Sequence, residues 1–393
     1  MNHRLLAGIR PVVATLLASL FVSVAACARA GDPPPAGGAD ASPQPEPRED
    51  VVRVETVAEG LEHPWGLAFL PDGRMLVTER PGRLRIVTPD GVLSRPLSGL
   101  LPIYAEGQGG LLDVAIAPDF ERTREVFLSY AEPEGELAGT AVMRGVLTDS
   151  TFEQARVIFR QRPKVKGGGH YGSRLVWMKD GTLFVTQGDR MNYRDRAQDL
   201  TQGMGKFVRI DREGRAPADN PFIGRGNAQP EIWSYGHRNG QAATIHPETG
   251  QLWTVEHGAR GGDELNHPEA GKNYGWPEIT YGRDYSGARI GDGVAREGME
   301  QPVYYWDPVI APSGMTFYFG DSIPGWKGSL LIGSLAGALV RLELREGRVV
   351  LEERYLGELR ERIRDVVEGP DGFVYLLTDS PRGRILRVRA IRK

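Results

Sequence analysis

The 393-residue sequence contains a single cysteine, which excludes a disulfide framework and a zinc site built from several cysteines. Neither charge dominates: 48 Lys and Arg against 51 Asp and Glu give a formal net charge of -3, which argues against a broadly basic nucleic-acid-binding protein. No long segment shows the 3.6-residue apolar period of a helix. By contrast, the 40% of hydrophobic residues can form a large core, and the 51 Gly and 28 Pro predict many turns between short strands.

The apolar stretch near the N-terminus, Pro11–Ala26, is too short and too early in the chain for an ordinary membrane-spanning helix. Residues 1–26 predict a signal peptide of the lipoprotein type, because Cys27 follows directly, as in a bacterial lipobox whose cysteine is lipidated. An ordinary cleavage site beside an accidental cysteine is the alternative. Residues 27–50, rich in Pro and Gly, predict a flexible tether. We expect an exported protein of the periplasm or cell surface, anchored through Cys27, with its folded domain in residues 51–393.

The remainder of the chain repeats. Six segments each combine a Pro/Asp/Gly turn with the alternating apolar pattern of β-strands: residues 70–87, 117–132, 178–190, 246–258, 324–344 and 369–389. Such repeats cannot bury their faces alone and must pack against one another. We predict an all-β fold, a six-bladed β-propeller of four-stranded antiparallel blades, with a double β-sandwich as the alternative. Residues 51–57 have no partner in their own repeat and are predicted to pair with the last blade, closing the ring.

Polar, glycine-rich segments between the predicted strands carry the candidate chemistry. His170 follows three consecutive glycines, which let the backbone approach a ligand closely, although a lone histidine is more often structural. Asp189 ends the next predicted strand. Because the end of one hairpin strand lies near the start of its partner, we expect Asp189 to hold the His170 imidazole in one tautomer.

Arginines mark two further segments. Arg238 and Asn239 form a short polar loop after a predicted strand, where a surface role is the simpler interpretation. Arg362 and Arg364 are two residues apart, so a strand would place both on one face. Two like charges on one face require either solvent or a bound anion.

A third group of residues has the ligand chemistry of calcium. Glu264 and Tyr274 lie close in sequence to Gly258 and Ala259, and carboxylates and carbonyl oxygens are the ligands that calcium accepts. The spacing matches no EF-hand. No His/Cys cluster indicates zinc or iron.

An ordered set of segments covers essentially the whole chain after residue 51: HPWGLAFLPDGRMLVTERPGRLRIV, GQGGLLDVA, GHYGSRL, GDELN followed by NYGWP, APSGM and RIRDV. Together they resemble the soluble quinoprotein sugar dehydrogenases, six-bladed propellers that bind pyrroloquinoline quinone (PQQ) and calcium. The aldose sugar dehydrogenase branch is the nearer match. Each segment is weakly specific alone, whereas the ordered set is strongly specific.

The resemblance implies catalytic roles for three residues. His170 is similar to the general base that takes the proton of the sugar C1 hydroxyl, Asp189 to the carboxylate that orients it, and Arg238 to the arginine that stabilises negative charge on the quinone oxygen. Further positions match cofactor contacts, with Arg362 and Arg364 facing the PQQ carboxylates. The implied cofactor-binding residues are Gln108, Arg238, Asn239, Tyr285, Ser334, Ala336, Arg362 and Arg364.

The resemblance also implies two calcium ions. The carbonyls of Gly258 and Ala259 match ligands of the cofactor-bound calcium, and Glu264 and Tyr274 match ligands of a structural calcium. The sequence departs from the family at Ala259, often a proline, and at Ala336, where many members have a cofactor-contacting lysine. Loss of one charged hydrogen bond to PQQ costs about 1–3 kcal/mol, so we expect weaker cofactor binding.

We therefore expect an enzyme that oxidises aldose sugars at C1 to lactones with PQQ and calcium, and that passes electrons to an external quinone or cytochrome. One alternative is a calcium-dependent sugar lactonase, which requires a central ion held by side-chain carboxylates and amides and has no use for Arg238, Arg362 and Arg364. The other is a non-catalytic propeller that binds glycans or a partner protein, which does not explain His170 with Asp189.

Overall fold

Six antiparallel sheets form the computed structural model, which describes residues 51–391. The signal peptide and the tether lie outside the described residues. In sheets 1 to 3 the strands are β2 (Pro64–Phe69), β3 (Met75–Glu79) and β4 (Arg83–Val87); β5 (Leu111–Ile116), β6 (Glu125–Glu134), β7 (Leu137–Leu147) and β8 (Phe152–Arg160); and β9 (Leu175–Trp177), β10 (Leu183–Val185), β11 (Lys206–Ile210) and β12 (Ile232–Tyr235).

Sheets 4 to 6 continue in chain order, except that the last sheet also takes in the first strand. Their strands are β13 (Gly240–Ile245), β14 (Leu252–Glu256), β15 (Asp263–Asn266) and β16 (Tyr304–Trp306); β17 (Pro312–Tyr318), β18 (Ser329–Ser334), β19 (Ala338–Arg345) and β20 (Arg348–Tyr355); and β21 (Ile363–Glu368), β22 (Val374–Thr378), β23 (Gly383–Ala390) and β1 (Val52–Leu61).

The predicted six-bladed β-propeller is confirmed, and the sandwich alternative is not. Five blades have four strands. The first has three, and an antiparallel bridge between Val87 and Leu93 lies where its fourth strand belongs. Within residues 51–391 the helices are one α-helical turn, α1 (Phe120–Thr123), and two short 3-10 segments, none long and apolar enough to span a membrane.

The predicted ring closure is also confirmed. Strand β1 pairs antiparallel with β23, from Val52 opposite Ala390 to Leu61 opposite Gly383. The first strand of the described chain therefore completes the last blade, which joins the two ends of the ring through backbone hydrogen bonds.

The core lies between the blades. The second strand of a blade is buried on both faces, as β3, β14 and β22 show, because each blade packs against two neighbours. Such a strand carries consecutive apolar residues, as at Met75–Val77, rather than a strict alternation. In every blade the inner strand is antiparallel to the second, so the start of the inner strand and the end of the second meet at one rim of the propeller.

Candidate functional site

Two adjoining cavities open at this rim. The central cavity, of about 500 Å³, is lined among others by Arg80, Gln108, Asn239, Arg362, Arg364 and Asp379. The side cavity, of about 450 Å³, is lined among others by His170, Asp189, Arg238, Ala259, Trp276 and Tyr285. Arg238 and Asn239 are consecutive but line different cavities, so the two spaces share a wall.

The predicted pair of His170 and Asp189 is present. Nδ1 of His170 lies 2.6 Å from Oδ1 of Asp189, whose other oxygen accepts a 2.8 Å hydrogen bond from the Trp276 indole N–H. The backbone N–H of Met191 also donates to Asp189 Oδ1, at 2.7 Å. Because an ionised carboxylate only accepts hydrogen bonds, Nδ1 carries the proton and Nε2 is left to act as a base.

The surroundings of His170 keep its ring neutral. Its side chain is 6% exposed. Burial lowers the pKa of His170 below 6.5, and the positive charge of Arg238 adds to this effect, while the bond to Asp189 opposes it. A neutral imidazole at neutral pH is the protonation state that a general base requires.

Arg238 lies beside this pair, because its backbone carbonyl accepts the Asp189 N–H at 2.8 Å. Its backbone N–H donates to Oε2 of Glu256 at 2.7 Å, and its guanidinium donates to the carbonyls of His257 and Gly258. The guanidinium also lies 3.3 Å from the Tyr285 hydroxyl. Its Nε is buried without a partner among the described residues, which leaves a donor for a group not present here.

The central cavity is rich in positive charge. Arg364 Nη2 lies 2.5 Å from Asp379 Oδ2, and its Nη1 donates to Gln241 at 3.0 Å. Arg362, half exposed, lies 3.5 Å from the same carboxylate. The Nε of Arg364 has no partner in the described part of the chain. An anion with several carboxylates fits these guanidinium groups.

Gln108 and Asn239 connect the two cavities. The Gln108 side-chain oxygen accepts the His170 backbone N–H at 2.9 Å. The Asn239 oxygen accepts the Gly172 backbone N–H at 3.1 Å and lies 3.3 Å from Nε2 of Gln241. These bonds fix the glycine-rich segment that carries His170 against the cavity wall.

A third, much smaller cavity of about 10 Å³ contains three of the four predicted calcium residues, Gly258, Glu264 and Tyr274, together with Glu256. This volume is about that of one water-sized sphere. Desolvation, followed by the like charge of Glu256, raises the pKa of Glu264 to about 8. Two neighbouring carboxylates in such a space favour a proton or a cation between them.

The chain is similar in sequence and in structure to several known sugar dehydrogenases. The aldose sugar dehydrogenase YliI of Escherichia coli K12 is 47% identical over 346 residues, covering 86% of this chain and 93% of that protein. The apo crystal structure of the soluble aldose sugar dehydrogenase of Escherichia coli matches with a TM-score of 0.84 at 46% identity, covering 86% of this chain and 100% of that chain. The PQQ-bound form of an aldose sugar dehydrogenase from Streptomyces coelicolor matches with a TM-score of 0.70 at 26% identity, covering 88% and 100%.

A family model described as glucose/sorbosone dehydrogenase matches residues 61–387. The chain belongs to this family. The resemblance inferred from the ordered segments is therefore confirmed, and it extends over nearly the whole propeller.

Two of the predicted cofactor-binding residues lie outside the cavities. The Ser334 hydroxyl donates to the Ile310 carbonyl at 2.6 Å and lies 3.1 Å from the Ala336 backbone nitrogen, so it stabilises a turn. Ala336 is exposed, and Leu335 between them lines the central cavity. The structure does not bring Ser334 or Ala336 into the cavity lining.

Two local expectations need correction. Asp189 was expected to end a strand, but β10 ends at Val185 and Asp189 lies in the loop that follows. Arg362 was expected within a strand, but β21 begins at Ile363, with a register shift between Ile363 and Asp365. Both cases reflect the irregular backbone at the rim, where pairing ends and side chains turn towards the cavities.

Several residues of the central cavity were not predicted from the sequence. Arg80, His257, Leu335 and Asp379 each follow directly the second strand of a blade and line the central cavity. The signal was present in the six repeats, because equivalent positions in equivalent blades lie at the same rim. Aligning the repeats with one another locates all four.

Proposed function

We propose that this protein oxidises aldose sugars at C1 to lactones, with PQQ as its cofactor and calcium bound near it. The observation that carries the proposal is the pair of His170 and Asp189 lining one cavity together with Arg238, beside a second cavity lined by arginines. Similarity to aldose sugar dehydrogenases, one of them solved with PQQ, supports the choice of substrate and cofactor.

The residues of the central cavity fit PQQ, which carries three carboxylates. Arg362 and Arg364 present guanidinium groups, and the Arg364 Nε is a buried donor without a partner among residues 51–391. Gln108 and Asn239 lie between this positive end and the catalytic residues. When bound, PQQ would supply the carbon that accepts the hydride from the sugar.

The protein's own residues then perform the proton transfer. His170 Nε2 takes the proton of the C1 hydroxyl as the hydride leaves C1, and the sugar becomes a lactone. Asp189 holds the Nδ1–H side of the ring and stabilises the imidazolium that forms. Arg238, beside the Trp276 ring on the wall of the same cavity, would stabilise the negative charge that the hydride brings to its acceptor.

Calcium would bind in the small cavity at Glu264, with carbonyls completing its ligands. Across the described residues no three His, Cys, Asp or Glu side chains form a metal-holding group, so carbonyl oxygens such as that of Tyr274 must contribute. The carbonyl of Ala259, on the wall of the side cavity, would serve with Gly258 for an ion at the cofactor.

Glu264→Gln is expected to abolish stabilisation by calcium. At about a hundred times its Kd, a ligand of the folded state adds about 2.7 kcal/mol to the free energy of unfolding. Thermal unfolding of the cofactor-free protein, with and without calcium, measures this difference. Glu136→Gln removes an 82% exposed carboxylate and serves as the control. A calcium response in Glu264→Gln equal to that of the wild type would contradict the assignment.

The lactonase alternative is less well supported. It requires an ion at the centre of the propeller held by side-chain carboxylates and amides, whereas the central cavity is lined by Arg80, Arg362 and Arg364.

Electron transfer to an external quinone or cytochrome, and export with a lipid on Cys27, are parts of the proposal that rest on the sequence. Membrane fractionation of Cys27→Ser tests the lipid anchor.

Reconstitution tests the proposed function directly. Residues 51–393 are purified without cofactor, PQQ and calcium are added, and dye reduction is followed with a panel of aldoses. We expect activity that requires both additions. Binding of PQQ without oxidation of any sugar would show that the substrate class is wrong, and absence of PQQ binding would favour the lactonase or glycan-binding alternatives.

A further inference from the structure

Arg80 is a cation of the central cavity that no role described so far uses. It follows β3 directly at the rim. Its backbone N–H donates to the His63 carbonyl at 3.0 Å, and its carbonyl accepts the Leu111 N–H at 3.2 Å. These bonds to blades 1 and 2 fix the position from which the side chain reaches the cavity.

The Arg80 guanidinium is only partly satisfied by protein. In the described chain its hydrogen-bond acceptor is the Gly107 carbonyl, 3.0 Å from Nη1. The carboxylate of the central cavity, Asp379, is already engaged by Arg364, by Arg362 and by the His63 ring at 2.8 Å. Arg80 therefore lines an anion-binding cavity with donors still available.

The charge of Arg80 acts on the same groups. Burial lowers the pKa of Arg364, Asp379 opposes this effect, and Arg362 and Arg80 reinforce it. Burial alone would raise the pKa of Asp379, but Arg364, the bond to His63 and the charge of Arg80 lower it. Three guanidinium groups thus line the central cavity beside one carboxylate, and an anion would balance this excess of positive charge.

We propose that Arg80 is a third carboxylate-binding residue of the central cavity, which contacts a carboxylate of the cofactor alongside Arg362 and Arg364. The inference rests on the proposed function. Arg80 approaches the cavity from blade 1, whereas Arg362 and Arg364 approach from the start of β21 in blade 6. It would supply a cation that Ala336 does not.

The test is a titration of the cofactor-free protein with PQQ, followed by quenching of tryptophan fluorescence or by calorimetry, at low and high ionic strength. Arg80→Gln removes the charge and Arg80→Lys retains it. Arg122→Gln, which removes a charge from a 76% exposed side chain paired with Asp119, is the control. Circular dichroism and thermal unfolding establish that each variant is folded.

We expect Arg80→Gln to bind PQQ about tenfold to a hundredfold more weakly at low salt, since one charged hydrogen bond is lost. The difference in PQQ affinity between the wild type and Arg80→Gln should become smaller at high salt, where charges are screened. Arg80→Lys should recover most of the PQQ affinity. Wild-type affinity in Arg80→Gln overturns the inference. So does a loss that is independent of salt and not recovered by lysine, because that indicates a structural role through Gly107. If the wild type does not bind PQQ, the proposed function fails as well.

Discussion

His170→Ala is expected to lower the turnover of aldoses by about 100- to 10,000-fold, the contribution typical of a positioned general base. The ring nitrogen that accepts the proton disappears, and Asp189 is poorly placed to replace it, because its oxygens are engaged by Trp276 and by the backbone of Met191. PQQ affinity should change little, since the carboxylate-binding arginines lie in the other cavity.

Steady-state kinetics with a saturating aldose, combined with a PQQ titration, separate these two effects. Asp189→Asn is the matched variant, because it keeps the shape of the side chain but removes the negative charge that stabilises the imidazolium. The pKa of His170 is lowered below 6.5, so activity should persist below pH 6.5 and fall only as the ring becomes protonated. Turnover of His170→Ala within a few-fold of the wild type would rule out His170 as the base.

The repeats were enough to predict the propeller and its closure, because turn residues and apolar alternation are local properties of the sequence. The contact between His170 and Asp189 was also predictable from the sequence, since it depends only on the geometry of one hairpin. The roles of Arg80 and Asp379 were harder to predict, because these residues come from different blades and line one cavity only at the rim of the folded propeller. Their shared position after a second strand becomes informative only when the repeats are aligned blade by blade.

The direction of side chains at strand ends was also difficult to predict from the sequence. Successive residues of a strand point to opposite faces, so an error of one position exchanges the residue in the cavity for its neighbour. Ser334 and Leu335 show this: the hydroxyl of Ser334 turns to the Ile310 carbonyl, and Leu335 lines the cavity. The resemblance identified the correct turn but not the residue that faces inwards.

Arg174→Met is expected to lower the free energy of unfolding by about 3–5 kcal/mol at neutral pH, the usual cost of breaking a buried ion pair from one side. Arg174 Nη1 lies 3.0 Å from Oδ1 of both Asp113 and Asp365, and all three side chains are buried. Asp113 also accepts the Leu175 backbone N–H, and Asp365 accepts that of Leu67. The cluster therefore connects blades 1, 2, 3 and 6, and methionine would leave two carboxylates facing each other.

The loss of unfolding free energy in Arg174→Met should change with pH in one direction. Burial, only partly offset by Arg174, already raises the pKa of Asp113 from 3.8 to about 6. A raised folded-state pKa contributes stability that is present below the unfolded value and is lost as pH rises through the folded value. Burial also raises the pKa of Asp365, and Arg174 opposes this effect. Without Arg174 the folded-state pKa values of Asp113 and Asp365 both rise further. The loss of stability in Arg174→Met should therefore be smallest at acidic pH and should grow towards neutral pH.

Urea unfolding of the cofactor-free protein at about pH 5 and about pH 8 measures this dependence. The matched control is Arg174→Met combined with Asp113→Asn and Asp365→Asn, which removes all three charges. It should be more stable than Arg174→Met at about pH 8, because replacing a whole buried ionic group costs far less than leaving part of it unpaired. A deficit in Arg174→Met of less than about 1 kcal/mol, or one that does not change with pH, would mean that water reaches the two carboxylates and that the propeller is not sealed at this cluster.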